Sequence, residues 1–196
     1  QTILSHILSP KRFLLIANRL LPWCMVLLAL TLTYGLIFGL LCTPPDAVQG
    51  DGFRIIYVHV PCALLSLLIY TVMAIAAIFG IVFHLKLAFL VIKHSVSIGA
   101  LFAFLALVTG SLWGKPMWGA WWLWDARLTS QLILLFLYIG VMLFQSAIEH
   151  KRNGKQMTAI LVLIGWIDIP IIHYSVSWWN TLHQGATLRL LKAPAI

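Results

Sequence analysis

The chain has 196 residues, 62% of them apolar and only 9% charged, with a formal net charge of +8 and a mean hydropathy of +0.99. That balance excludes a soluble domain, and the length gives room for several membrane helices of about 20 apolar residues each. The bases lie in short connections between apolar runs, where they set membrane orientation rather than engage nucleic acid.

No signal-peptide pattern with a cleavage site opens the sequence, and a first residue of Gln1 rather than Met leads us to expect native chain ahead of it. Apolar runs at residues 20–41, 58–83, 95–112, 128–147 and 156–172 predict five transmembrane helices, since backbone polar groups in lipid must pair within a helix. Thr43-Pro44-Pro45-Asp46 ends the first. The last is short and carries Asp168 and Pro170. An acid there is unusual in a span, and a hydrogen bond within the bundle is its simplest role. The fold class is therefore an all-α polytopic membrane protein, one integral domain over residues 1–196.

Lys11, Arg12, Arg19, Lys86, Lys93, Lys151, Arg152 and Lys155 fall on one side of these spans; Arg54, Lys115, Arg127, Arg189 and Lys192 fall on the other. The positive-inside rule puts the richer side, with the N-terminus, in the cytoplasm. The connection around residues 113–127 then faces outward, which in a bacterium is the periplasm. His6, His84, His94 and His150 sort to the cytoplasmic side, and His59, His173 and His183 to the outer side. None sits at the centre of a span, which argues against a respiratory haem held between helices. Cys24, Cys42 and Cys62 form no CxxC or CxxCH, so the chain has no thiol-redox motif and no attachment site for a c-type haem of its own. They are packing residues, with a Cys42–Cys62 bridge as the alternative.

The outward connection reads WGKPMWGAWWLWDAR and holds five of the nine tryptophans. Gly114, Pro116 and Gly119 predict a break in any long helix. From Trp118 a short interfacial helix is expected, with Trp118, Trp121, Trp122 and Asp125 on one face. An aromatic belt is one reading. A platform for a flat, apolar, acidic ligand is the other, with Lys115, Arg127 and Arg54 offered to carboxylates or simply snorkelling to the interface. Asp125 either pairs with Arg127 or caps the helix that follows. His59, in FRIIYVHVP, and His183, in SWWNTLHQG, flank the tryptophans in sequence and could close both faces of a haem iron, or serve as ordinary loop residues. His173 is a third ligand, a supporting partner or a helix-end residue. Zinc fits less well, because no close ligand spacing occurs.

WGAWWLWDARLT, Trp118 to Thr129, resembles the tryptophan-rich WWD signature of the haem-handling proteins of cytochrome c maturation, and RIIYVHVP with IIHYSVSWWNTLHQG resembles the CcmC (HelC) branch. The resemblance runs from about Pro10 to Arg189. It implies a periplasm-facing haem platform in the bacterial inner membrane, built on the segment 113–127. His59 and His183 would be axial ligands of a non-covalent haem b, and Trp118, Trp121, Trp122 and Trp124 would lie against the macrocycle. Arg127, Arg54 or Lys115 would meet the propionates. It further implies delivery to the haem chaperone CcmE and association with the small subunit CcmD and the ABC-transporter subunits CcmA and CcmB. The chain would act as a delivery factor, not a turnover enzyme, and it has no GxxxxGK[ST] loop of its own. The family has six transmembrane helices where five are read here. A transmembrane haem exporter or channel subunit is the alternative function, and a purely structural subunit a third.

Overall fold

The computed structural model describes residues 9–148, 150–179 and 183. Five helical spans cross back and forth, over Pro10–Cys42, Asp51–Phe83, Lys86–Trp118, Ala126–Ile148 and Gly154–Trp178. Helix α1 (Pro10–Leu36) starts with Pro10 at a position that needs no donor, capped by Ser9, whose Oγ accepts from Arg12 N–H at 3.4 Å. It runs into a π-helical turn, Ile37–Cys42. Thr43 closes that turn, with its N–H and its hydroxyl both donating to the Phe38 carbonyl, at 2.9 and 2.8 Å.

A tight loop follows, in which the Asp46 carboxylate accepts from Val48 and Gln49 N–H at 2.9 and 2.7 Å. Those two bonds, the one from Gln49 first, hold the Asp46 carboxyl below its ordinary range. A 3-10 turn (Asp51–Ile55) leads into α2 (Ile56–Phe83). His84, in the left-handed conformation at φ 55°, reverses the chain into α3 (Lys86–Trp118). Then come α4 (Ala126–Ile148), α5 (Gly154–Gly165) and α6 (Asp168–Trp178), the last two forming one span with a turn at Trp166 and Ile167.

Lipid gives helices no hydrophobic reason to associate, so close packing of small residues and buried hydrogen bonds must hold them together. The bundle of α2 to α6 is built that way. Ala74, Ala77, Ala103 and Ala159 are fully buried at its centre beside Tyr70, Met73, Leu134 and Tyr138. Tyr138 donates to the Ser66 carbonyl at 2.6 Å, and Gln131 Nε2 donates to Ser66 Oγ at 3.1 Å, tying α4 to α2. Helix α1 stands apart: no residue in it is buried. Where its π-turn meets the bundle, Gly39 lies against the ring of Tyr57, leaving no room for a side chain.

Two expectations are corrected. Gly114 and Pro116 do not break the helix: α3 continues through both and ends only at Gly119, whose φ of 75° and bond from its N–H to the Lys115 carbonyl at 3.0 Å form a left-handed cap. Pro116 has no N–H, so the Leu112 carbonyl one turn back loses its usual helical donor, and the helix continues past it for less than a turn. The short amphipathic helix from Trp118 is also absent; residues 119–125 are irregular, and α4 begins at Ala126. The spans extend beyond the apolar runs at both ends of α3, because polar and basic residues such as Lys86 and Lys115 are carried on the same helix. Cys42 and Cys62 are unbridged, the first exposed and the second buried. Asp168 is buried, and its Oδ2 has no hydrogen-bond partner among the described residues.

Candidate functional site

The residues that carry chemistry converge at the end of the bundle formed by the start of α2, the α3–α4 connection and, beyond α6, His183. His59 is one turn into α2 and points at α3. Its Nδ1 lies 3.1 Å from Thr109 Oγ1. The Thr109 hydroxyl hydrogen is already spent, donated to the Leu105 carbonyl at 2.6 Å, so Thr109 can only accept. His59 therefore carries its proton on Nδ1, and its lone pair is on Nε2. Gly110 makes room for the ring: a Cβ there would meet His59 Cε1 at 3.0 Å. Trp113, one turn further along α3, meets the imidazole edge-on at 5.7 Å and is itself held by Gln49 Oε1, which accepts from its Nε1–H at 3.0 Å.

His183 reaches the same place from far along the chain. Its Nδ1 lies 3.0 Å from Asp125 Oδ2, with both side chains largely buried, at 17% and 10% exposure. A carboxylate cannot donate, so Nδ1 holds the proton here too, and the lone pair again falls on Nε2. The other Asp125 oxygen, Oδ1, accepts from Leu128 N–H at 2.7 Å and caps α4. One aspartate thus fixes the start of a helix and the orientation of an imidazole. Burial lowers the His183 pKa from 6.5, with the Asp125 bond and charge acting in the opposite direction and the Arg127 charge adding to the lowering.

Trp118 lies 5.0 Å from the His183 ring, tilted by 60°. Arg127, half-buried in the first turn of α4, interacts electrostatically with both histidines. Two histidines, Trp118, Asp125 and Arg127 are therefore together. The other tryptophans are arranged differently. Trp122 and Trp124 meet edge-to-face at 5.4 Å; Trp124 is 77% exposed, whereas the Trp122 Nε1 is buried without a hydrogen-bond partner. Trp121 is exposed, with Lys115 Nζ 5.9 Å from its ring centroid. Lys115 also donates to the Gly119 carbonyl at 3.0 Å. Arg54 is engaged at the site's edge, donating from Nε to the Thr43 carbonyl at 3.1 Å and pairing with Asp51 at 3.2 Å. His173 packs edge-on against Tyr174 at 4.8 Å.

Sequence reasoning missed Thr109, Gly110, Trp113 as a histidine contact, and Gln49. Thr109 and Trp113 are four apart on one helix face, but nothing in the sequence says that His59 of another helix opposes that face. Among the described residues no group of three or more His, Cys, Asp or Glu side chains is placed to hold a metal ion, whereas a structural zinc site takes four ligands.

The chain is similar to known proteins along most of its length. The family described as CcmC, heme exporter protein C, matches residues 3–196. Heme exporter protein C of Escherichia coli K12 is 51% identical over 184 residues, covering 94% of this chain and 75% of that protein. The protein of the same name from Haemophilus influenzae is 47% identical, covering 96% and 76%. A putative cytochrome c biosynthesis ccmC-like mitochondrial protein of Marchantia polymorpha is 45% identical, covering 88% and 71%. With the family matching residues 3–196 and relatives 47% and 51% identical over most of the chain, this chain belongs to the CcmC heme exporter protein C family.

Proposed function

We infer that the protein holds haem b, without a covalent bond, at the periplasmic face of the bacterial inner membrane, as cargo for cytochrome c maturation. It hands that cargo to the chaperone CcmE. The observation that supports this best is the shared tautomer of His59 and His183. Each has its Nδ1–H against an oxygen, Thr109 Oγ1 or Asp125 Oδ2, which makes Nε2 the lone-pair nitrogen in both, the atom with which an imidazole would hold the cargo's iron. Asp125 raises the basicity of His183 and holds it in register. Trp118 flanks that ligand, while Trp121, Trp122 and Trp124 extend an aromatic surface for the macrocycle in the segment 113–127. Arg127 is the first partner for a propionate; Arg54 and Lys115 stand second, since each has more N–H donors than its bond to the Thr43 or Gly119 carbonyl uses.

The chain's own residues bind and orient, and no group among them is needed to break a bond in the cargo. This favours a delivery factor over a turnover enzyme. The exposed edge formed by Trp121 and Trp124 lets a chaperone approach from the aqueous side. CcmD, CcmA and CcmB are the partners this reading carries with it. Passage of haem through the chain itself is disfavoured by an interior filled with Tyr70, Met73, Leu134 and Tyr138, each fully buried. The test is transfer: purified haem-loaded protein mixed with CcmE should pass haem to the chaperone, and the Asp125→Ala variant should load and pass less. Undiminished haem loading and transfer by the His59→Ala, His183→Ala double variant would overturn the reading.

A further inference from the structure

At the end of the bundle remote from the tryptophan loop, the start of α3, the end of α4 and the first turn of α5 line an open cleft of about 120 Å³. Phe89 and Ile92 form an apolar wall, and Lys93, Gln145, Lys155 and Thr158 line the rest. Gln145 Oε1 is buried in the bundle without a hydrogen-bond partner. Turning the amide about its last torsion presents Nε2 instead, as a donor, at little conformational cost. The first turn of α5 also brings the positive end of its dipole to the cleft. This end of the chain is basic throughout, with Lys86, Lys151 and Arg152 beyond the cleft and a single carboxylate, Glu149, in the sequence there. None of these residues takes part in the haem site described above.

We propose that this cleft binds an anionic phospholipid, its phosphate between Lys93, Lys155 and the Gln145 amide and its acyl chain along Phe89 and Ile92. Three features favour a lipid over a soluble anion. The cleft is at a membrane-spanning bundle's end, where headgroups lie. Its polar donors are gathered beside an apolar wall that a small hydrophilic ion would leave uncovered. Basic clefts between spans recognise charged headgroups through this combination of charge and apolar contact. A haem is disfavoured, because no imidazole, thiol or thioether lines the cleft.

The experiment uses the full chain in neutral detergent, titrated by native mass spectrometry with short-chain phosphatidylglycerol, phosphatidylcholine or inorganic phosphate. Phosphatidylglycerol should bind the wild type at least about tenfold more tightly than it binds the Lys93→Gln, Lys155→Gln double variant, the size expected for two headgroup-facing charges. Gln145→Leu, which keeps both charges, should weaken binding severalfold. Phosphatidylcholine should bind weakly to all forms. Elution as a monodisperse species and an unchanged helical circular dichroism spectrum establish that each variant is folded; if the double variant does not fold, Gln145→Leu and the lipid comparison decide. Equal affinity for the two lipids would overturn the proposal, as would unchanged phosphatidylglycerol binding in the folded variants. Inorganic phosphate binding as tightly as phosphatidylglycerol would make the site one for a soluble anion and overturn it too.

Discussion

Asp125 binds two things at once: Oδ1 accepts from Leu128 N–H at 2.7 Å, and Oδ2 lies 3.0 Å from His183 Nδ1. The aspartate that ends the tryptophan motif is therefore a hinge between helix architecture and imidazole orientation. Its two roles separate by substitution. Asn keeps a capping oxygen but loses the charge, so Asp125→Asn should leave thermal stability nearly unchanged while weakening haem binding about tenfold or more, the usual cost of losing a ligand's supporting carboxylate. Asp125→Ala should show the same loss and in addition cost about 1 kcal/mol of stability. Haem titration beside thermal unfolding of both variants checks this.

The His183 environment sets a pH dependence. Burial makes the charged imidazolium less favourable in the folded chain and lowers the pKa from 6.5, with Asp125 opposing. The unfolded chain takes up a proton near pH 6.5 and the folded chain only below it. This group therefore costs stability as pH falls from about 6.5 toward the folded value, and nothing above that window. Haem should stay bound at pH 6.5 and be lost only at lower pH, as protons compete for Nε2. In the haem-free protein, removing the charge with Asp125→Asn should move the His183 midpoint lower still. NMR titration of the imidazole checks the direction.

Gly110 tests the seat of the other imidazole. A methyl there meets His59 Cε1 at 3.0 Å, tighter than ordinary contact, and must push the ring from Thr109. Gly110→Ala should weaken haem binding severalfold while the protein stays folded. Gly140→Ala, with nothing within 4 Å of the added Cβ, should be silent. Thr109→Val, which removes the acceptor that fixes the His59 tautomer, should resemble Gly110→Ala. Parallel haem titrations of the three variants check the order.

Deep in the bundle, Gly99 lies directly against the Tyr138 ring, and a side chain there would overlap it. Gly99→Ala should lower stability by about 1–3 kcal/mol through overpacking. Tyr138→Phe should cost less, about 0.5–1.5 kcal/mol for one hydrogen bond, since Tyr138 donates to the Ser66 carbonyl at 2.6 Å. Denaturation in detergent checks both, with haem affinity serving as an independent readout of the distant site.

The spans were legible because hydropathy reports what lipid demands of a long segment, and all five lie where apolar runs predict. The tryptophan connection was legible as a place but not as a shape. Pro116 suggests a break and Trp118, Trp121 and Trp122 suggest a helical face, yet α3 runs on to Trp118 and the residues after Gly119 are irregular. Local propensity lost there to packing: Gly114, the residue read as a breaker, is buried against Trp118 and the Ala120 carbonyl. Asp125 as a cap for α4 was readable from its position before Ala126. Its bond to His183 was not, because it joins residues that are 58 apart in sequence. Arg54 and Lys115 were chosen for charge alone, and both have nearby carbonyls as partners that no sequence pattern announces.

The central claim is that His59 and His183 together close both axial positions of a bound haem. Low-temperature electron paramagnetic resonance of the ferric protein, wild type beside His59→Ala and His183→Ala, tests it most directly. The account predicts a low-spin signal in the wild type and conversion to high spin, or loss of haem, in each single variant. Retention of the wild-type low-spin spectrum in either variant would contradict it.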